Sequence, residues 1–341
     1  MVSTDYRPDD ESKEMDDRDE TDEKDRHSQV MINKKMKIGT RGSRLALTQA
    51  NWVADRLKER HPRMTVEIVP VRTTGDRMQS VSLSVIGGKG VFVKEIEEAL
   101  LRGEVDIAVH SMKDMPCEIP EDLAIGAVPD REDPRDVFIS GDGRQLDELK
   151  PGARIGTGSL RRGLQLRGLV PSVEVVPIRG NLDTRIRKIG REKLDGIVVA
   201  AAGLRRMGWE GRATQFISVK QMIPAVGQGA LAVEVRRADD ATGEIVSLMN
   251  DPATSLAVTA ERAFLAMLGG GCQVPVAGHA TIRDGVLHLD ALVGSMDGSV
   301  VLRDEVEGPV GEHIQLGKSL ARRILSRGGR EILASVHACD G

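Results

Sequence analysis

The sequence predicts an α/β protein of two lobes joined by two crossings, followed by a C-terminal α+β domain with a small antiparallel sheet. Three observations carry that expectation. From residue 36 to about 235, apolar runs of strand length alternate with segments of helical period, the pattern of parallel βαβ units. Two segments interrupt the alternation, Arg131-Glu132-Asp133-Pro134-Arg135 and Ile223-Pro224-Ala225-Val226-Gly227-Gln228-Gly229, and each reads as a crossing. After Asp251-Pro252 the pattern changes to a helix, short alternating strands and two closing helices, hence a third domain.

The elements follow in chain order. Residues 1–30 hold twelve Asp/Glu against five Lys/Arg and almost no large apolar side chain, so residues 1–35 read as a disordered acidic tail. The tail's net −7, set against −4 for the whole chain, leaves +3 for residues 31–341. A strand over 36–39 opens the fold, and Thr40-Arg41-Gly42-Ser43 supplies Ser43 as N-cap of a helix over 45–60. Next come a strand over 66–71, a flexible basic loop at Gly87-Gly88-Lys89-Gly90, and a helix over 91–101 ended by Gly103. Residues 106–109 form a short buried strand that runs into His110-Ser111-Met112-Lys113-Asp114. In the second block, strands over 153–156, 173–178 and 196–200 lead into helices over 160–169, 182–189 and 201–207. A strand over 230–235 is expected to return to the first block. Lobe 1 is thus placed at 36–130 and 229–250, lobe 2 at 131–228 and the C-terminal domain at 251–341. In that domain a helix over 256–268 ends at Gly269, Arg283-Asp284-Gly285 and Met296-Asp297-Gly298 are hairpin turns, and helices over 314–326 and 330–336 close the chain.

Composition narrows the function classes. With 40% hydrophobic and 29% charged residues over 341 positions, a soluble globular protein of two or three domains is expected. Aromatics are only 2%, so nothing interleaves the basic residues as a stacking platform, and nucleic acid is not expected as a partner. No apolar run reaches the length of a membrane span, and the first thirty residues lack the apolar core of a signal peptide. The three cysteines, Cys117, Cys272 and Cys339, show no metal-ligand spacing and fit a reducing, cytoplasmic compartment. The glycine loops match neither the P-loop nor the dinucleotide fingerprint.

In open α/β sheets, ligands bind beyond the carboxyl ends of the strands. Standing there are Arg41 and Ser43; Ser111, Lys113 and Asp114; Thr157, Ser159, Arg161 and Arg162; Arg179, Asn181 and Arg185; and Arg205 and Arg206. Such a cleft suits a ligand with several negative groups, because guanidinium grips carboxylate or phosphate bidentately, each charge-assisted bond contributing about 1.5–3 kcal/mol. A single Arg is more often a solvated surface charge, but five strand ends in a row argue for a polyanion site. Asp114 is the odd member, a carboxylate among cations. It suits stabilisation of positive charge or proton relay, with an ion pair to Lys113 as the plain alternative. His110, on an apolar strand, is expected to be a structural hydrogen-bonder. Finally, Gly269-Gly270-Gly271-Cys272-Gln273-Val274-Pro275 places a lone thiol on a backbone free of side chains, open to a bulky partner; a buried structural Cys is the alternative.

The segments Thr40-Arg41-Gly42-Ser43, Gly87-Gly88-Lys89-Gly90-Val91-Phe92-Val93-Lys94-Glu95, Asp106 through Asp114, Arg131 through Asp136, Gly156-Thr157-Gly158-Ser159-Leu160-Arg161-Arg162, Arg179-Gly180-Asn181, Pro224 through Gly229 and Gly270 through Pro275 together resemble the porphobilinogen deaminase (hydroxymethylbilane synthase) family. The resemblance covers about residues 36–336, in order and at family spacing. It implies two periplasmic-binding-protein-like α/β lobes and a third domain. It also implies a transferase of tetrapyrrole synthesis that joins four porphobilinogen units head to tail with loss of ammonia, then frees the linear tetrapyrrole by hydrolysis. By the same resemblance Cys272 carries a dipyrromethane through a thioether and Asp114 is the catalytic aspartate. The implied cofactor-binding set is Arg41, Ser43, Gln49, Lys89, Phe92, Ser111, Lys113, Thr157, Ser159, Arg161, Arg162, Arg179, Asn181, Arg185, Arg206 and Gln228, with no metal, and a monomer is expected. Two positions depart from the family's pattern: Val85 stands where a Lys is common, with Lys89 the expected substitute, and Gly158-Ser159 replaces Ser-Ser.

The residues by themselves leave two other classes open. One is a non-enzymatic, two-lobed anion-binding module, against which Cys272 and the third domain speak. The other is a Cys-dependent hydrolase, for which His279 is the only nearby partner in sequence.

Overall fold

The computed structural model describes residues 35–77, 90–270 and 275–337. The acidic segment to residue 34, Val85, Lys89, Cys272 and Cys339 therefore lie outside the described residues.

In chain order the first block runs β1 (Lys35–Arg41), α1 (Arg44–Arg60), β2 (Thr65–Val71), α2 (Lys94–Leu101), β3 (Ile107–Ser111) and β4 (Leu123–Ala127). The second holds β5 (Asp136–Ser140), β6 (Arg154–Gly156), α3 (Leu160–Leu169), β7 (Glu174–Val176), α4 (Leu182–Arg191), β8 (Gly196–Ala200), α5 (Ala201–Arg206) and β9 (Gln215–Ile217). The chain then returns through β10 (Leu231–Arg236) and α6 (Asp240–Ser247). The last part contains α7 (Pro252–Met267), β11 (Val276–Arg283), β12 (Val286–Gly294), β13 (Val301–Pro309), α8 (His313–Ile324) and α9 (Arg330–His337).

Two five-stranded sheets result, ordered β2-β1-β3-β10-β4 and β7-β6-β8-β5-β9. The purely parallel pairing expected from the alternation is corrected in both. β1 runs parallel to β2 and β3, and β6 to β7 and β8, but β10 and β5 are antiparallel to both of their neighbours. Each crossing delivers one of these reversed strands: β5 follows the first and β10 the second. The two crossings thus insert matching strands into matching places, which makes the two lobes alike. Central strands bury both faces, which explains the unbroken apolar runs Val137-Phe138-Ile139 and Ile197-Val198-Val199. With few aromatics in the chain, aliphatic side chains fill the cores; Phe138 and Phe264 are the exceptions among the largest fully buried residues.

Local chemistry sets the element ends. Ser43 caps α1 by accepting from Ala46 N at 3.3 Å, as expected. The helix predicted from residue 91 starts at Lys94, because residues 90–93 form a turn around Gly90 at φ +81°. β1 begins at Lys35, one residue inside the expected tail. β4, β5, β9 and α6 were not expected. β4 contains Gly126, where an added Cβ would meet Val246 and Val235, and β9 is only three residues long. In the third domain the antiparallel sheet β11-β12-β13 packs on α7 and α8. Asp284 and Gly285, at φ +50° and +76°, form the expected two-residue turn between β11 and β12.

Glu261 on α7 joins this domain to both crossings. Its carboxylate accepts from Arg131 Nη1 at 2.6 Å and Nη2 at 3.2 Å in the first crossing, from Gly227 N at 2.7 Å in the second, and from Ala280 N at 2.7 Å on β11. Burial opposes its ionisation, yet Arg131 and His279 outweigh that and hold Glu261 down to about 2. A depressed carboxyl contributes stability above its unfolded range that is lost as pH falls toward the folded value, here from about 4.5 down to about 2. Glu261→Gln is expected to lower unfolding free energy by about 3–5 kcal/mol, because Arg131 is left buried without its anion. Chemical denaturation at neutral pH checks this, and the deficit should shrink in acid. A loss below about 1 kcal/mol would reduce the residue to an ordinary surface pair.

Candidate active site

The strand ends of the two lobes face a cleft of about 340 Å³. Lobe 1 contributes Arg41 at the end of β1, Ser43, Arg44 and Gln49 from the start of α1, and Phe92. From the end of β3 come Ser111, then Lys113 and Asp114 in the 3-10 turn Met112–Asp114. Opposite stand Arg162 from α3, Arg179 and Asn181 in the turn before α4, Arg185 on α4 and Arg206 at the end of α5. Helix starts open onto the same space at Ser43 and Asn181, so unpaired N–H groups add to the donors.

The cations are not equivalent. Arg41 Nε lies 3.2 Å from Asp76 Oδ1, and its guanidinium sits 4.1 Å over the Phe92 ring. Arg162 is held from below: Nε and Nη2 donate to Asp136 Oδ1 at 2.9 and 2.7 Å. Burial opposes ionisation of Asp136, but Arg161 and Arg162 hold it well below the usual carboxylate range. Arg185 Nε donates to Gly180 O and Arg206 Nη2 to Gly229 O, each at 2.7 Å, which aims the rest of each fork at the cleft. Burial lowers both guanidinium groups to about 10, so they keep their charge at neutral pH; the like charges Arg162 and Arg179 also press on Arg185. Lys113 is brought down to about 8, by burial first and by Arg162 and Arg161, against the raising pull of Asp114 and Asp136. Asp114 is exposed to the cleft and acts electrostatically on Lys113 beside it and on Arg185 across it. Gln49 Nε2 donates to Ser111 Oγ at 3.0 Å, fixing that hydroxyl.

Thr157, Ser159, Arg161 and Gln228 do not line this cleft. Thr157 is buried, with Oγ1 accepting from Ser159 N, and Ser159 caps α3 by accepting from Arg162 N. Arg161, only 4% exposed, pairs with Asp136 at 2.8 Å and donates to Ile223 O at 2.6 Å. Gln228 Nε2 bridges Pro134 O at 2.7 Å and Asp136 Oδ1 at 2.9 Å. Arg161 and Gln228 tie α3 to the two crossings, while Thr157 and Ser159 shape the turn at its start. Arg205 pairs with Glu132 and Asp133, each at 3.3 Å. His110 is the hydrogen-bonder expected, with Nε2 3.1 Å from Glu234 Oε2. His279 is buried against Glu261 at 3.5 Å, turned to the domain junction. The sequence reading missed Arg44, Asp76, Asp136 and Trp209; Asp136 was visible as the last residue of the first crossing's charged motif.

A dipyrromethane, two pyrroles each bearing an acetate and a propionate, fits this donor set. Lys113, Arg179, Arg185 and Arg206, with the Ser43 and Ser111 hydroxyls, are the donors that would hold its carboxylates, and Asp114 is an acceptor that ring N–H groups would use.

Comparison with known proteins agrees. A family model described as "Porphobilinogen deaminase, dipyromethane cofactor binding domain" matches residues 36–244, and one described as "Porphobilinogen deaminase, C-terminal domain" matches residues 255–326. A porphobilinogen deaminase of Syntrophus aciditrophicus is 56% identical over 306 residues, covering 90% of this chain and 99% of that one. One of Pelobacter propionicus is 52% identical over 307 residues, again covering 90% and 99%. Among solved structures, the BvgS VFT2 domain of Bordetella pertussis superposes with TM-score 0.39 at 15% identity, over 70% of this chain and 96% of that one.

Proposed function

The chain belongs to the porphobilinogen deaminase family, and from that premise we propose which of its residues perform the reaction. The enzyme is a transferase of tetrapyrrole biosynthesis. It joins four porphobilinogen molecules head to tail, with loss of ammonia, into hydroxymethylbilane on a dipyrromethane primer. When bound, the dipyrromethane supplies the pyrrole α-carbon to which substrate units are added. We assign its anchoring thiol to Cys272.

The observation that carries the residue assignment is the Asp114 carboxylate, exposed in a cleft of cations whose other lining carboxylates, Asp76 and Asp183, are paired with Arg41 and Arg187. Lys113, Arg179, Arg185 and Arg206, with the Ser43 and Ser111 hydroxyls, bind the acetate and propionate groups of the substrate. Each unit brings two negative charges, which is why so many donors stand in one cleft. Binding orients the aminomethyl carbon and excludes water around it. Breaking the C–N bond sends the electron pair away with ammonia and leaves a pyrrole-stabilised cation. Asp114 accepts from the pyrrole N–H and holds that positive charge, an interaction stronger in the transition state than before it.

Sheet membership supports lobe 1 at 36–130 with 229–250, lobe 2 at 131–228 and the anchoring domain at 251–341. The same reading makes the enzyme a cytoplasmic monomer with no nucleic-acid partner. Among the described residues no helix is long and apolar enough to cross a membrane.

Two substitutions test the assignment. Arg179→Leu removes a lining cation and relieves its repulsion of Arg185, so the fold should hold while substrate addition stalls at a definite chain length, seen as accumulated partial complexes by mass. Arg161→Leu leaves Asp136 with one cationic partner, Arg162, instead of two and should cost about 3 kcal/mol of stability first. Normal elongation by Arg179→Leu would remove it from the binding set.

A further inference from the structure

Behind the cleft wall, three titratable side chains from three packed elements are buried out of water. His110 on β3 sets Nε2 3.1 Å from Glu234 Oε2 on β10, and both side chains are almost wholly buried. Glu97 on α2 is buried too, where that helix packs against β1, β3 and β10. Glu97 Oε1 and Glu234 Oε1 have no hydrogen-bond partner among the described residues. A fold gains nothing from orphan carboxyl oxygens in its interior, so their presence points to use rather than support.

The surroundings define what the group can do. Burial and the Glu234 carboxylate push Glu97 up to about 7, against a smaller opposing pull from His110. Arg262 of α7 acts on Glu234 and also donates to Pro116 O at 2.8 Å and Cys117 O at 3.2 Å. Arg236 of β10 lies toward the end of α2, on the carbonyls of Leu100 and Val105. β1 meets α2 at Gly39, beside Ile96. Toward the ligand, His110 itself lines the cleft, and the next residues are Ser111, Met112, Lys113 and Asp114.

We propose that Glu97, buried beside the Glu234–His110 pair behind the wall that carries Asp114, is a switchable charge, and that its carboxylate supports the cation left by ammonia loss, so turnover rises as Glu97 ionises. None of the three touches the substrate; they are positioning residues that add one negative charge, through His110, to the side where Asp114 stands. As pH rises, the Glu97 carboxyl gives its proton to solvent and the cation gains support. This rests on the reading that Asp114 faces that cation.

The experiment uses the holoenzyme with porphobilinogen, comparing wild type, Glu97→Gln and, as a control on the exposed side of α2, Glu98→Gln. Wild-type kcat should rise on the order of fivefold across neutral pH, the effect of one charge acting through protein. In Glu97→Gln it should stay at the low-pH level, with KM unchanged. Infrared spectra taken without substrate should show a protonated-carboxyl C=O band in wild type and Glu98→Gln that disappears as pH passes about 7, and no such band in Glu97→Gln. Glu97→Met, apolar and of similar length, should repeat the Glu97→Gln result if the amide disturbs folding. No titrating band in wild type, or a Glu97→Gln profile that still rises like wild type, overturns the proposal. The two readings fail separately: near-normal turnover in Asp114→Asn with the band intact removes the site assignment, while a lost pH response with Asp114 still essential leaves it standing.

Discussion

Asp114→Asn should lower turnover by at least about 100-fold while leaving folding and the attached cofactor as they are. The substitution keeps size and one acceptor but removes the charge. Asp114 is exposed to the cleft, and Lys113 and Arg185, on which it acts, keep Asp136 or a backbone carbonyl as a further partner, so the fold should hold. What is lost is the cleft carboxylate of the turn Met112–Asp114, which shares the cleft with the cations proposed to hold the substrate's acids. A second consequence follows from the neighbours. Asp114 raises Lys113, which already sits at about 8, so the variant's Lys113 should lose its proton at lower pH. Substrate KM should therefore climb at a lower pH than in wild type. Steady-state kinetics over pH measures both effects, and near-normal kcat would return Asp114 to the role of an ion-pair partner.

Cys272→Ala should remove all covalently attached pyrrole and reduce activity to background. Cys117→Ala is the demanding control, since that thiol lies against the start of the same loop. A Cβ placed on Gly270 would stand 3.4 Å from Cys117 Sγ. If any thiol near the loop could serve, Cys117 is the one in position. The account expects Cys117→Ala to keep both the mass excess and the activity, because proximity alone does not give the uncluttered backbone that glycines supply around residue 272. Activity retained in Cys272→Ala would move the anchor elsewhere.

Much of this site could be read from the sequence because α/β topology brings strand ends together whatever lies between them. Arg41, Ser111, Lys113, Asp114, Arg179, Arg185 and Arg206 came to one cleft for that reason. The arginines that do not line the cleft share a feature: consecutive residues on a helix point about 100° apart, so Arg161 and Arg162, or Arg205 and Arg206, take different surroundings. Arg162 and Arg206 line the cleft; Arg161 turns to Asp136 and Arg205 to Glu132 and Asp133. Asp136 is visible in sequence as part of a charged motif but not as a buried counter-ion, because its partners Arg161 and Arg162 lie far along the chain. The reversed strands β5 and β10 were hidden for a similar reason: strand direction depends on where a crossing re-enters the sheet, not on local pattern.

The central claim is that this cleft works on a primer fixed to Cys272, and intact mass of the purified wild-type protein tests it most directly. The account predicts a protein heavier than its sequence by two linked pyrrole units, with peptide mapping placing the excess on Cys272. Limiting porphobilinogen should then raise the mass in steps of one unit. A mass equal to the sequence in an active preparation, or an adduct mapped to Cys117 or Cys339, would contradict it.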